Sequence, residues 1–394
     1  MIIKSGVNRN FCTFALILTL APSILFSQTP PENPELKKQE KAKLEAAIAV
    51  MPHPQALSDF TMISHLPTMN QDQSWICWSF GQSSFLESEM KRLGREPVRL
   101  SVMYPVYCGF LEKAKRYVRT KGESRFAPGG LFTDVMETVK NYGDIPAAAY
   151  EGVKLGGIQY NQNPLYDEVD AFAQQIKKEG TWDEAAVMKQ LCVILDKHLG
   201  APPAKFTYNH KEYTPQTFAT KVINLPLDQY VLVTSWNYAP FNQFTELKVP
   251  DNWRHNANYF NVPLDVFYQS IKKAITGGYS VTLDFDFTEP SYELTKRYAF
   301  VPDYQIPKAG LTQAKREEGF VSGNTTDDHL LQLVSYKNFG GEDWFLAKDT
   351  WPTAWEEGSL HGYFFVHESY MKMKVLAFMA HRGALPDIPA PNIK

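Results

Sequence analysis

A cysteine, a glutamine and the residues around them could perform nucleophilic chemistry. Cys77 lies in the segment QDQSWICWSF (71–80), and apolar residues follow it at helical spacing as far as Leu93. This spacing predicts that Cys77 begins an amphipathic helix, where the helix dipole and unpaired N–H groups favour a thiolate. Gln71 precedes it closely enough for its amide and the Cys77 N–H to supply the two donors that a tetrahedral oxyanion requires. The alternative is a buried structural cysteine on an aromatic helix.

A histidine and a carboxylate with suitable contexts occur far downstream. His329 begins a β pattern directly after two aspartates, and Asp349 follows 20 residues later in the segment KDTWP (348–352). A thiol nucleophile needs an imidazole that holds the thiolate and later protonates the leaving amine, and a third group that orients the ring. His329 and Asp349 are the candidates for these two tasks.

A pair of glycines lies between these segments. Gly129 and Gly130 precede a helical pattern that runs from Leu131 to Tyr142. Without side chains, they would let an extended peptide approach the backbone and pair with it. The alternative is an ordinary turn before a helix.

Together these segments resemble the papain-like cysteine peptidases. The family's motifs are Gln, five residues, then Cys-Trp-x-Phe; a Gly-Gly stretch that lines the substrate cleft; a His strand; and a Lys-Asn-Ser-Trp-Gly segment followed by Gly-Tyr. The resemblance implies peptide-bond hydrolysis by a two-lobe α+β fold with the active site in the cleft between the lobes. It implies catalytic roles for Cys77, His329, Asp349 and Gln71, and substrate-binding or shielding roles for Gly129, Gly130, Trp351 and Leu330.

One branch of the family is favoured by the long insertion between the two motifs. His329 follows Cys77 by 252 residues, against roughly 130–150 in papain-type sequences. Bleomycin hydrolase and aminopeptidase C carry long insertions there, and segments such as YTPQTF (213–218) are similar to that branch. The branch implies a homo-hexamer whose C-terminus lies in the cleft and restricts cleavage to peptide ends. The Pro-rich tail 387–394 could do the same here, or it could be a frayed terminus.

Several positions depart from the family pattern. Asp349 replaces the usual Asn and should raise the pKa of the histidine. Trp75 and Ile76 stand where small residues precede the nucleophile, and Pro352 removes a backbone donor. Leu330 replaces a small residue after the histidine and is expected to narrow a substrate pocket. These departures leave a second hypothesis open: a catalytically degenerate relative that binds peptides without turnover.

The composition excludes two classes of protein, and the N-terminal sequence predicts export. The 394 residues carry a net charge of −3, with 44% hydrophobic and 13% aromatic residues, which excludes a disordered chain and a general nucleic-acid binder. A basic start and a short apolar run predict a cleaved signal peptide over 1–27, hence a secreted or periplasmic protein without membrane contact; the alternative is an uncleaved anchor. Three cysteines remain after cleavage, so at least one is free, while Cys108 and Cys192 either pair or are buried thiols.

The remaining patterns predict an α+β protein whose helices precede its strands. We assign 28–56 to a charged linker, which could include a short solvated helix, without a packing face of its own, and 57–394 to the peptidase domain. Within that domain, 57–225 is mainly helical and carries the insertion, 226–386 is mainly β, and 387–394 is the tail. No metal-binding, phosphate-binding or dinucleotide motif occurs. We therefore predict no cofactor and no metal, and a peptide or protein substrate as the partner.

Overall fold

The computed structural model describes residues 34–152 and 160–389. The predicted signal peptide lies outside this part of the chain. Its helices are α1 (Pro34–Ala49), α2 (Cys77–Arg92), α3 (Met103–Arg119), α4 (Phe132–Asn141), α5 (Asn163–Glu179), α6 (Glu184–Leu199), α7 (Pro215–Phe218), α8 (Leu264–Thr276), α9 (Pro290–Thr295), α10 (Gln313–Ser322) and α11 (Glu368–Met373).

The strands form a small hairpin and one large mixed sheet. They are β1 (Phe206–Tyr208), β2 (Lys211–Tyr213), β3 (Tyr230–Thr234), β4 (Gln243–Thr245), β5 (Tyr259–Asn261), β6 (Val281–Phe285), β7 (Tyr298–Ala299), β8 (His329–Phe339), β9 (Glu342–Lys348), β10 (Tyr363–His367) and β11 (Val375–His381). β1 and β2 form the hairpin, and the other nine follow the order β4-β5-β3-β11-β6-β8-β9-β10-β7. Helices precede most strands, so the fold is α+β.

Helix α2 is the central helix of the fold. Every residue from Trp78 to Met90 is buried, because one face packs against β8 and the others pack against α3 and α4. At Gly81 the approach is so close that a Cβ would lie 2.8 Å from the Leu330 side chain. A glycine is therefore needed where α2 crosses the sheet. This crossing fixes the N-terminus of α2 relative to the start of β8.

Most elements predicted from periodicity are confirmed. The helix that begins at Cys77, the helix after the glycine pair and the strand that begins at His329 are present as α2, α4 and β8. Helix α3 was not predicted, although Val106, Phe110 and Tyr117 mark its apolar face at helical spacing. The central strand β11, which pairs with β3 and β6, was not predicted either.

The prediction that residues 28–56 have no packing face is wrong for the described helix α1. Leu44 is fully buried and Ile48 is 7% exposed, and both belong to one buried cluster with Phe60, Phe300 and the β9 residue Trp344. The apolar stripe was hidden because only two of its positions carry a large apolar residue among many charges. Two positions one turn apart are nevertheless enough to dock a helix on an apolar sheet face.

The described part of the C-terminal tail lies far from the start of β8. Val375 pairs with Phe285, which pairs with His329, whereas His381 pairs with Tyr230 at the other end of the sheet. At about 3.3 Å per residue, β11 carries the chain about 20 Å away from His329. Ile388 is then buried in the core cluster that contains α8. Residues up to 389 therefore lie outside the predicted cleft position, and 390–394 are outside the described residues.

The three cysteines of the described residues do not form a disulfide. Cys77, Cys108 and Cys192 are all free thiols, so the alternative of a Cys108–Cys192 pair is not realised. Cys108 is buried among the aromatic residues of α3 and behaves as a small hydrophobe.

Among the described helices, none combines the length and the apolar character that crossing a bilayer requires.

The packing of α1 gives a test with a matched control on the same helix. Leu44→Ala removes a fully buried side chain and should lower the free energy of unfolding by about 2–4 kcal/mol, while Leu36→Ala removes one that is 62% exposed and should change it little. Urea unfolding of both variants measures this difference. Equal, small effects would show that α1 does not pack against the sheet.

Candidate active site

Cys77 occupies the first position of α2. Its N–H has no acceptor within the helix because the first turn of any helix leaves such groups unpaired. The preceding residue, Ile76, offers no side-chain cap to this end of the helix. The thiol is partly exposed and free. Position and exposure are those required of a nucleophile at a helix N-terminus.

His329 lies beside this end of α2, at the first residue of β8. Its ring is buried, and Nε2 lies 2.6 Å from Oδ1 of Asp349. The other ring nitrogen, Nδ1, makes no hydrogen bond within the described residues. The Cys77 thiol is close enough to act on the ring electrostatically. The imidazole therefore has Asp349 on one nitrogen and Cys77 as the reactive neighbour.

His329 and Asp349 each stabilise the charged form of the other. Burial lowers the pKa of His329, but Asp349 and Cys77 outweigh burial and raise it from its usual 6.5 to about 10. Burial opposes ionisation of Asp349, yet the His329 charge and several hydrogen bonds hold its pKa below the usual 3.8. The stabilisation from His329 is thus complete below pH 6.5 and lost as pH rises through 10. The stabilisation that ionised Asp349 contributes is present above pH 3.8 and is lost as the pH falls through its lowered pKa. Both groups are therefore charged around neutral pH.

Asp349 is held by more donors than the sequence indicated. The Tyr292 hydroxyl donates to Oδ2, and the backbone N–H groups of Thr350 and Trp351 donate to Oδ1 at 2.6 and 3.0 Å. Tyr292 is fully buried. Sequence reasoning missed it because α9 is only six residues long and its place beside β10 depends on tertiary packing. These donors allow a carboxylate to be buried where the family has a neutral amide.

Gln71 is oriented with its donor group unpaired. The residue is fully buried, and its N–H donates to the carbonyl oxygen of Thr350 at 2.8 Å. The Thr350 hydroxyl donates to Oε1 of Gln71 at 2.7 Å, which leaves Nε2 without an acceptor in the described residues. An oriented, unsatisfied amide N–H₂ is what an oxyanion donor requires before substrate binds. Thr350, which fixes this orientation, was also missed from the sequence.

Aromatic rings cover the histidine. Trp351 meets the His329 ring edge-on with the centroids 5.9 Å apart, and Phe287 meets it at 5.7 Å. Phe285 lies 5.9 Å away on a third side. The predicted shielding position of Trp351 is therefore occupied, and the two phenylalanines complete an apolar enclosure. Such an enclosure strengthens the interaction between the buried charges.

Trp75 departs from the family pattern in conformation as well as in size. Its φ of +54° lies in the left-handed region that is costly for a bulky residue. The indole is 50% exposed, donates from Nε1 to Asn163 at 2.9 Å and packs against Trp351 at 5.4 Å. It therefore forms a half-exposed wall two residues before Cys77. Strain of this kind is maintained where surrounding contacts fix the backbone.

Two other departures from the motif of papain-like peptidases, Pro352 and Leu330, fit their surroundings without loss of hydrogen bonds or packing. Pro352 begins the short helical turn Pro352–Trp355, where an N–H would have no partner in any case. Leu330 is 2% exposed and packs against α2 at Gly81, within the core of the helical region. The prediction that Leu330 narrows a substrate pocket is therefore not supported, because adjacent residues on a strand point to opposite faces.

The glycine pair lies in a different environment from the one predicted. Gly130 is buried against Trp78, and the carbonyl of Gly129 accepts a hydrogen bond from Lys113. The Asp251 carboxylate occupies the space next to Gly129, where a Cβ would overlap it. The pair permits a close approach. However, the group that approaches belongs to the inserted segment of this chain.

The Tyr292 hydrogen bond can be tested by stability. Tyr292→Phe removes a buried donor to Asp349 and should lower the free energy of unfolding by about 1–3 kcal/mol at pH 7. Tyr304→Phe is the control, since that hydroxyl donates to Glu40 on the surface, and its effect should be below about 0.5 kcal/mol. Denaturant titration measures both. Equal losses for the two variants would contradict a structural role for the buried hydroxyl.

Comparisons with known proteins show a similarity of overall fold. No protein-family model matches the chain, and no curated protein matches it. Among solved structures, the chain is similar to PepW from Lactobacillus rhamnosis HN001, with a TM-score of 0.65 and 18% sequence identity. The match covers 88% of this chain and 85% of that chain. The two proteins therefore share an overall α+β fold over most of their lengths.

Proposed function

We propose that this protein is a cysteine peptidase that hydrolyses peptide bonds with Cys77 as its nucleophile. The observation that carries the proposal is the buried His329–Asp349 pair at 2.6 Å, with the second ring nitrogen left for Cys77. The fold shared with PepW and the resemblance to papain-like sequences support the same proposal. The predicted export signal suits a protein that acts outside the cytoplasm, and we propose that location too.

The reaction follows from the positions of four groups. The Cys77 sulfur attacks the carbonyl carbon of the substrate, and the oxyanion is held by Nε2 of Gln71 and the Cys77 N–H. The His329 imidazolium gives its proton to the leaving amine as the C–N bond breaks, which produces a thioester. Water then attacks the thioester while His329 accepts a proton from it. The acid product leaves, and the thiolate–imidazolium pair is restored.

The oxyanion donor gives a graded test of this mechanism. Gln71→Ala should reduce kcat by about 10²–10³-fold with little change in folding, because one of two donors is lost. Cys77→Ala should remove the remaining activity, and hydrolysis of fluorogenic peptide amides measures both. Gln216→Ala serves as the control because Gln216 is exposed on α7. Activity that survives Cys77→Ala would contradict the assignment.

A second candidate function is peptide binding without turnover. The strained, half-exposed Trp75 next to the nucleophile favours it, since the indole packs on Trp351 where part of a substrate would lie. Under this alternative, Cys77→Ala retains peptide affinity and wild-type protein cleaves nothing. Cleavage that depends on Cys77 would reject it.

A further inference from the structure

Trp75 has the most exposed indole of the chain. All eight tryptophans lie within the described residues; Trp75 is 50% exposed, whereas the other seven are buried or partly buried. Trp75 also lies two residues before the nucleophile Cys77. Its apolar surface is therefore open to a molecule that occupies the candidate active site.

Two further rings extend this apolar surface to the histidine. The ring centroids of Trp75 and Trp351 are 5.4 Å apart, and those of Trp351 and Phe287 are 4.9 Å apart. Trp351 and Phe287 are both partly exposed, and both contact the ring of His329. We call Trp75, Trp351 and Phe287 the aromatic row. Continuous exposed apolar surface beside reactive groups is typical of a binding site.

The chemistry of the site places the aromatic row on the leaving-group side of the cleaved bond. The leaving amine takes its proton from Nδ1 of His329, so it must come within about 2.6–3.2 Å of that nitrogen. The residue that carries this amine therefore lies against His329, while the acyl part is bonded to Cys77. Trp351 and Phe287 are the partly exposed rings that contact His329. A side chain on the leaving residues thus meets the row.

The inserted segment 160–166 holds Trp75 in this position. The N–H of Gln73 donates to the carbonyl oxygen of Tyr160 at 3.1 Å, and Nε1 of Trp75 donates to Asn163 at 2.9 Å. These bonds maintain Trp75 at its unfavourable φ of +54°. A ring that is fixed before binding loses little conformational entropy when a ligand packs on it.

We propose that Trp75, with Trp351 and Phe287, selects peptides that carry an aromatic side chain on the leaving-group side of the cleaved bond. The proposal rests on the proposed peptidase function and names part of its substrate class. Trp351 belongs to the motif shared with papain-like sequences, whereas position 75 usually has a small residue, so Trp75 is the residue that determines this specificity. An aromatic pair of this kind gives a preference of about two- to tenfold beyond that from buried area.

Three peptide amides test the proposal: Ala-Ala-Phe amide, Ala-Ala-Ala amide and Phe-Ala-Ala amide. Cleavage of either peptide bond leaves Phe on the leaving side of the first compound and on the acyl side of the third. Competition experiments followed by liquid chromatography and mass spectrometry identify each cleaved bond and give ratios of kcat/KM. Wild-type protein should cleave the first compound at least about threefold faster than the second.

Substitution of Trp75 tests which residue is responsible. Trp75→Gly should bring the ratio of the first to the second compound close to one and leave the ratio of the third to the second unchanged, while Trp75→Phe should retain part of the preference. Glycine readily adopts a φ of +54°, so this variant should fold, as urea unfolding checks. Tyr304→Ala is the matched control, because Tyr304 is an aromatic residue that is 53% exposed elsewhere, and it should preserve all ratios.

Three results would overturn the proposal. A wild-type ratio near one for the first two compounds would mean that the aromatic side chain is not recognised. A preference that survives in Trp75→Gly would mean that the indole does not select. An equal gain in cleavage of all three compounds in Trp75→Gly would mean that the indole obstructs the site.

Calorimetric binding to Cys77→Ala separates this selection from catalysis. Ala-Ala-Phe amide should bind at least about threefold more tightly than Ala-Ala-Ala amide, and the difference should disappear when Trp75→Gly is added. This result together with no cleavage by wild-type protein would retain the aromatic selection and reject the peptidase. Equal binding of the two compounds would overturn the selection, whatever the activity.

Discussion

The buried contact between His329 and Asp349 is the constraint on which the rest of the site depends. Two ionisable groups lie 2.6 Å apart with no exposed side-chain surface, an arrangement that is unfavourable unless both are charged and fully hydrogen-bonded. The β8–β9 hairpin creates it directly. His329 is the first residue of β8 and Asp349 follows the last residue of β9, so antiparallel pairing brings the two side by side. Helix α2 crosses β8 and adds Cys77 to the pair.

The surroundings offset the cost of burying these charges. Tyr292 and two backbone N–H groups satisfy Asp349, and aromatic rings exclude water from the imidazole. The same rings separate the pair from solvent counterions, so its interaction remains strong in salt. Asp349, which stands where papain-like peptidases have Asn, therefore comes with a matching donor, Tyr292. It raises the pKa of His329, as the sequence predicted, and keeps the ring protonated over the neutral range.

Local signals predicted much of this arrangement, and long-range packing supplied the rest. Cys77 at a helix start and His329 at a strand start follow from periodicity in single segments. Tyr292, Thr350 and Asp251 have no motif around them, since each reaches the site through contacts between segments distant in sequence. For the same reason, Leu330 was assigned to a pocket although its side chain faces α2. The packing face of the charged helix α1 was missed because only two buried residues form it.

The central claim is that Cys77 and His329 form a thiolate–imidazolium pair, and the rate of iodoacetamide labelling between pH 4 and 9 tests it most directly. Peptide mass spectrometry resolves the labelled cysteines, with the partly exposed Cys192 as the internal reference. The account predicts rapid labelling of Cys77 at mildly acidic pH, far faster than Cys192, and loss of this advantage in His329→Ala. Labelling of Cys77 only above about pH 8, as for ordinary thiols, would contradict it.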